Sequence, residues 1–332
     1  MRHDAPTMRP HREGDKPPPA LIIAGPTCSG KSALALALSE QLGGTVINAD
    51  AMQVYRELHV LTARPSTEEM ERVPHRLYGV RTAAEASSVA WWREAALAEL
   101  NRCHAAGRLP ILCGGSGMYL AALTGGIAPI PDPGETARAE ARGALADSGP
   151  RELYARLREV DPDTADRLRP TDTQRVARAW EVWRGTGRGI AAWQAERLPA
   201  APYRFTAILL APDRAALRDA IQTRFTQMLA QGAIEEVTAL LALNLDPSLP
   251  AMRAHGVPEL TAYLRGEITV DEAGRRTRLV TGQYTKRQAT WFRHHALASP
   301  ERTHTIHARI PAMQQFSESF MRDLRQFIVP TG

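Results

Sequence analysis

The chain has 332 residues, of which 44% are hydrophobic, and a formal net charge of +5, with a pI of about 9.4. That length holds one large domain or two smaller ones, and the apolar fraction is ordinary for a soluble protein with a sizeable core. No stretch approaches the roughly 18 consecutive apolar residues of a membrane span, and Cys28, Cys103 and Cys113 have neither zinc-ligand nor disulfide-framework spacing. A reducing, cytoplasmic protein with no membrane partner is expected. The basic residues are nearly all arginine, the lysines being Lys16, Lys31 and Lys286. A basic balance favours nucleic acid or another polyanion as partner, but an arginine-rich proteome of high GC content gives the same figure.

Residues 1–19 carry charges and prolines without an apolar h-region, which reads as a disordered tail rather than a secretory signal. Residues 21–24, LIIA, form an apolar run before a glycine turn, and residues 33–42, ALALALSEQL, read as a helix without a breaker. TVINA at 45–49 reads as the next strand, residues 87–107 as an amphipathic helix ending at Gly107, and RLPILCGG at 108–115 as a buried strand. Alternating strand and helix is the pattern of a parallel sheet with covering helices. Prolines and glycines at 129–134 mark a boundary, and helix formers and arginines dominate from there to about 200. FTAILLA at 205–211 resumes the strand signal, residues 213–232 read as a helix ending at Gly232, and the last third is helical and basic. The expected fold is α/β: a P-loop kinase-like parallel sheet from 20–130 and 201–332, interrupted by a helical insertion at 131–200.

The sharpest local signal is Gly25, Pro26, Thr27, Cys28, Ser29, Gly30, Lys31 and Ser32. This G-x-x-x-x-G-K-[ST] run follows a strand and precedes a helix, as a phosphate loop must. Its glycines let successive N–H groups converge on phosphate oxygens, and the following helix adds its positive end. Lys31 offers a compact cation, and the Ser32 hydroxyl reads as a magnesium ligand. The loop implies a diphosphate or triphosphate without specifying ATP. The next strand ends in Asn48-Ala49-Asp50-Ala51-Met52-Gln53-Val54-Tyr55. Asp50 projects into the crevice above the loop, where it is a general base, a partner of the magnesium, or simply a helix cap.

Taken together, GPTCSGKS, NADAMQVY, PHRLYGV, LCGGSGMYLAALTGG, EVDPDTADRLRPTDTQRVARAWEV and TKRQATWFR resemble the ordered blocks of the bacterial tRNA dimethylallyltransferases, also called tRNA isopentenyltransferases. The resemblance runs from about Leu21 to His294. It implies transfer of a dimethylallyl group from dimethylallyl diphosphate to the exocyclic amine of the adenosine immediately 3′ of the anticodon, with release of diphosphate and a need for Mg²⁺. It also implies that Asp50 is the base, that Arg224 faces the diphosphate and that Ser116 lies near the reacting centre. By the same resemblance tRNA contacts fall on Asp50, Ala51, Met52, Gln53 and Ser116, with Gln53 reading the base edge. Further contacts fall on Arg138, on Gln174, Arg175, Val176, Ala177 and Arg178, and on Lys286, Arg287, Gln288, Trp291 and Arg293.

The residue types suit that work. Arginine and lysine neutralise RNA phosphates, and Trp291 offers either a stacking surface or core packing. Arg214 and Arg218 share a helix with Arg224, so a solvated face is the plain alternative for all three. Ala51 stands where the family pattern has Ser, Arg64 where it has Lys, and RAHGVPEL departs from the pattern near 253–259. The partners implied are the tRNA anticodon stem-loop and dimethylallyl diphosphate, acting on a monomer. A P-loop kinase of a nucleoside or other small metabolite shares the loop, the fold and the metal. An RNA-binding nucleotide switch is disfavoured, because the sequence has no N-K-x-D guanine motif.

Overall fold

The computed structural model describes residues 16–311 and 316–329. The expected disordered tail therefore lies outside the described residues as far as residue 15. The strands are β1 (Pro19–Ala24), β2 (Gly44–Asn48), β3 (His75–Arg76), β4 (Leu109–Gly114), β5 (Arg204–Leu210) and β6 (Thr303–Ile306). They form one sheet in the order β3-β2-β4-β1-β5-β6, with every neighbouring pair parallel. The helices are α1 (Lys31–Leu42), α2 (Thr67–Arg72), α3 (Val89–Ala105), α4 (Gly117–Thr124), α5 (Gly134–Val160), α6 (Pro162–Ala165) and α7 (Thr173–Thr186). They continue as α8 (Ile190–Ala195), α9 (Arg214–Ala230), α10 (Ala233–Leu241), α11 (Val257–Leu264), α12 (Val270–His294) and α13 (Glu318–Ile328).

The central strands are apolar on both faces because both faces are covered. Along β1, Ala20, Ile22 and Ala24 enter one core, where Trp92 of α3 and Tyr55 are fully buried. Leu21 and Ile23 enter the other, against Leu34 and Leu38 of α1 and Met321, Leu324 and Ile328 of α13. This period-two alternation of an almost uniformly apolar strand is how one segment feeds two cores. Among the described residues no helix is long and apolar enough to cross a membrane.

The chain divides into two compact units, one of them Gly125–Ala200 and the other the remainder. The smaller unit holds α5 to α8 and begins ahead of the proline cluster that marks the break in sequence. Its start is set by pairing of its own ends: Leu198 N–H donates to Ile127 O at 2.8 Å. Its interior is built on Leu157, Ala165 and Ala179, with Tyr154, Leu168, Trp180 and Ile190 packed around them. Two strands escape the sequence reading. β3 is two residues long, and β6 is a four-residue edge strand, THTI, inside a stretch expected to be helical.

Candidate active site

Three adjacent strands, β2, β4 and β1, place their carboxyl ends side by side. In an open parallel sheet that is where ligands bind. β1 runs into the phosphate loop, β2 into Asp50, and β4 into Ser116 at the start of α4. The catalytic trio read from sequence is thus drawn from segments far apart in the chain but adjacent in the sheet, except for Arg224, which arrives on α9.

The loop is tightly held. Gly30 has φ 95°, a conformation side chains resist, and a Cβ there would overlap the Ile310 carbonyl. Residues after β6 cross beneath it: Ile310 N–H donates to Ser29 O at 3.0 Å and Arg309 Nε to Cys28 O at 3.1 Å. Two of the loop amides expected to face phosphate are engaged within the protein. Thr27 N–H donates to Gln288 Oε1 at 2.9 Å, and Ser29 N–H to Pro26 O at 3.2 Å. Lys31 turns its ammonium inward onto Pro26 O at 2.8 Å. Burial lowers its pKa from the ordinary lysine value, with the nearby Asp50 carboxylate opposing the shift.

The acceptor side is built on Asn48, which is fully buried. Its Oδ1 accepts from Asp50 N–H at 2.8 Å, and its Nδ2 donates to Asp50 O and Leu77 O, each at 3.0 Å. Trp92 Nε1 donates to Asn48 O at 2.8 Å, and the Trp92 ring stacks on Tyr119 at 4.5 Å. The backbone around Asp50 is therefore fixed, while one carboxylate oxygen, Oδ1, accepts from Met52 N–H at 2.9 Å. Ser116 Oγ accepts from Ala51 N–H at 2.9 Å, and Tyr284 of α12 lines the cavity that Asp50 also lines. Burial, with the Asp50 charge adding to it, pushes the Tyr284 phenol up to about 12, so it is held protonated. The contact through the Ala51 amide means that the missing family hydroxyl at position 51 leaves the Ser116 link intact.

A cavity of about 230 Å³ opens beside the loop. Thr27, Cys28, Asp50 and Arg224 line its polar part, and Met52, Leu61, Ile221, Phe225, Met228 and Ala254 its apolar part. Arg224 reaches across the loop, donating from Nη2 to Thr62 O at 3.2 Å and from Nη1 to Cys28 Sγ at 3.7 Å. Arg214 and Arg218 of the same helix are exposed, so only Arg224 of the three is turned to the cavity. His255 and Arg253, in the segment that departs from the family pattern, also line the cavity. Burial lowers the His255 pKa below the usual 6.5, and its ring meets Tyr284 edge-on at 5.1 Å.

The expected RNA-facing residues divide. Asp50, Ala51 and Met52 line the cavity. Gln53 does not; its Nε2 is spent on Thr62 O at 2.9 Å and Ala63 O at 3.0 Å. Arg64, through Nη1, donates to both Tyr55 O and Arg56 O, each at 3.0 Å. On α12, Lys286, Arg287 and Arg293 are exposed, and the first two border a shallow groove with His294 and His295. Trp291 is half-buried, lies against Gly117 and stacks on His295 at 4.2 Å. Gln288 departs from its expected place at the RNA surface: it is 4% exposed and faces inward. In the smaller unit Gln174, Arg175 and Arg178 are exposed and Ala177 is half-buried. Val176, expected to contact tRNA, is instead fully buried in that unit's interior, because its helix position points inward. Arg138 is ion-paired with Asp132. Sequence reasoning missed Asn48, Tyr284 and His255. Tyr284 carried a signal, since it sits one helical turn before Gln288 on the same face.

Comparison with known proteins places this geometry. A family model described as IPP transferase matches residues 53–295. The tRNA dimethylallyltransferase of Granulibacter bethesdensis is 58% identical over 310 residues, covering 93% of this chain and 97% of that one. That of Gluconobacter oxydans is also 58% identical, covering 93% of each chain. Among solved structures, the full-length tRNA isopentenylpyrophosphate transferase of Bacillus halodurans superposes with a TM-score of 0.65 at 30% identity, over 93% of this chain and 95% of its own. A eukaryotic dimethylallyltransferase acting on tRNA gives a TM-score of 0.71 at 25% identity, over 82% of this chain and 69% of its own. With its phosphate loop, its Asp50 strand end and an architecture shared with these enzymes, the chain belongs to the bacterial tRNA dimethylallyltransferase family.

Proposed function

We infer that the protein transfers the dimethylallyl group of dimethylallyl diphosphate to the exocyclic amine of the adenosine immediately 3′ of the anticodon in tRNA, releasing diphosphate. The observation that carries this is a phosphate loop opening on a cavity that has one apolar side and that Asp50 also lines. Met52, Leu61, Ile221, Phe225 and Met228 give the cavity an apolar side that suits a branched five-carbon chain, beside polar side chains such as Thr62, Thr281 and Tyr284.

The diphosphate lies over the loop, within reach of Lys31 and Arg224, which stabilise the negative charge that grows on it as the allylic carbon–oxygen bond breaks. The adenine enters unstacked from the anticodon loop. Its amino nitrogen forms the new bond to the allylic carbon, and the proton it sheds passes to Asp50. Ser116 holds the Ala51 backbone, and thereby the strand end that carries Asp50.

The donors fit a hard divalent cation. The Ser32 hydroxyl is exposed, Asp50 stands nearby, and among the described residues no group of three His, Cys, Asp or Glu side chains forms a ready-made metal cluster. Mg²⁺ keeps several waters and prefers substrate phosphates to an all-protein cage, so Ser32 and the diphosphate itself would hold it. Its contribution would be charge neutralisation on the leaving diphosphate. Lys286, Arg287 and Arg293, with the exposed arginines of the smaller unit, supply phosphate contacts to the anticodon stem-loop.

The test is incorporation of radiolabelled dimethylallyl diphosphate, with Mg²⁺, into an unmodified tRNA carrying adenosine 3′ of the anticodon. Label entering the RNA supports the reading. No label with several such tRNAs, alongside phosphoryl transfer from ATP to a small molecule, sinks it in favour of a kinase. Removing the Ser116 hydroxyl deprives Ala51 N–H of its partner. Ser116→Ala is expected to lower turnover about tenfold while leaving diphosphate affinity unchanged. Unchanged turnover would remove Ser116 from the machinery.

A further inference from the structure

We propose that Gln288 is a positioning residue whose buried carboxamide ties the phosphate loop to the β4–α4 turn, setting the separation between the leaving diphosphate and the prenyl acceptor. The proposal rests on the prenyl-transfer reading and deepens it. Gln288 Oε1 accepts from Thr27 N–H at 2.9 Å, and its Nε2 donates to Gly115 O at 2.9 Å. The partners are 261 and 173 residues away in sequence, so this one side chain joins three distant segments. Gly115 is what admits it: a Cβ there would overlap the Gln288 amide nitrogen and come within 3.2 Å of Gly25 O.

Each anchor leads directly to reacting groups. Thr27 is followed by Cys28, whose sulfur contacts Arg224. Gly115 is followed by Ser116, whose N–H donates to Ala49 O at 3.1 Å and whose hydroxyl accepts from Ala51 N–H, the residues flanking Asp50. A carboxamide offers an acceptor to one backbone group and a donor to the other from the two arms of one planar group. At 4% exposure it presents no free edge to a ligand. Contact with RNA from α12 falls instead to the exposed Lys286, Arg287 and Arg293. Reacting groups must be held closely, and small misplacements far from the chemistry cost rate.

The test measures three things on full-length protein: binding of inorganic diphosphate with Mg²⁺, binding of an anticodon stem-loop RNA without donor, and single-turnover transfer. Gln288→Met keeps the volume and removes both hydrogen bonds, and Gln288→Glu turns an oxygen toward the Gly115 carbonyl. Both are expected to weaken diphosphate binding and slow transfer roughly ten- to a hundredfold, with RNA affinity within about twofold of wild type. Loss of RNA affinity with diphosphate binding intact would overturn the proposal, as would a Gln288→Glu variant equal to wild type.

A second comparison remains decisive if either variant folds poorly. Gly115→Ala alone forces the amide out. In Gly115→Ala/Gln288→Ala the clash is gone, so the double variant is expected to lose less diphosphate affinity than the two single losses combined. Additive losses would overturn the clamp. If wild type transfers no prenyl group while the variants still lose diphosphate affinity, the functional reading fails and the clamp stands.

Discussion

Asp50→Asn is expected to lower turnover by about 10²–10⁴-fold while leaving tRNA and diphosphate binding nearly unchanged. Asparagine keeps the side-chain oxygen that accepts from Met52 N–H, and the backbone hydrogen bonds to Asn48 do not involve the carboxylate. What disappears is basicity. The adenine amine is a weak nucleophile because its lone pair is shared with the ring, so the forming bond places positive charge on nitrogen until a base removes the proton. Tyr284 and His255, among the other titratable side chains lining the cavity, are the ones to weigh against Asp50. Tyr284, pushed up to about 12, stays protonated and is a donor rather than a base. His255, its pKa lowered by burial, is neutral at neutral pH and is the competitor. The deciding measurement is therefore turnover of Asp50→Asn beside His255→Ala under saturating donor and RNA. A small loss in the first with a large loss in the second would move the base to His255.

How much of this was legible in the chain depends on how local each signal is. β1, the phosphate loop and α1 form one uninterrupted segment, and their apolar run, glycines and Ala-Leu helix announce them together. β6 has no such signal. THTI is four residues long with half-polar composition, and it becomes a strand because the edge of β5 from Ala207 to Leu210 is there to pair with it. The same division runs through the site. Asp50's place at the cavity was readable because an acid at the carboxyl end of a parallel strand beside a phosphate loop faces the crevice, although a cap was an equal reading of its position. Gln53 and Gln288 were read as RNA contacts because their blocks resemble RNA-binding ones, and both instead spend their amides on backbone groups of their own chain. Which way a glutamine faces depends on which carbonyls arrive beside it from distant segments. The exposed side chains on the same helix, Lys286, Arg287 and Arg293, fell where a polar helical face would put them.

Lys31→Met is expected to reduce kcat/KM for the donor by about 10²–10³-fold, with tRNA binding unaffected. The size follows from where the charge sits. Burial lowers the Lys31 pKa below the ordinary lysine value, and its ammonium rests on the loop's own Pro26 carbonyl. A diphosphate replaces that weak acceptor with formal negative charge in a partly enclosed cavity, and leaving-group charge increases further as the allylic bond breaks. The same shift gives a pH signature with a definite sign. Below its lowered pKa the side chain is charged and the donor binds tightly. As pH rises through that lowered value the charge is lost and binding weakens, earlier than an unperturbed lysine would dictate. Bound diphosphate stabilises the charged form, so binding in that range takes up a proton. The measurement is calorimetric binding of inorganic diphosphate with Mg²⁺ across the alkaline range, for wild type and Lys31→Met. Wild type is expected to show the alkaline loss and proton uptake, and Lys31→Met to bind weakly with neither. An alkaline limb of equal size in both would assign the titration to another group and remove Lys31 from the leaving-group site.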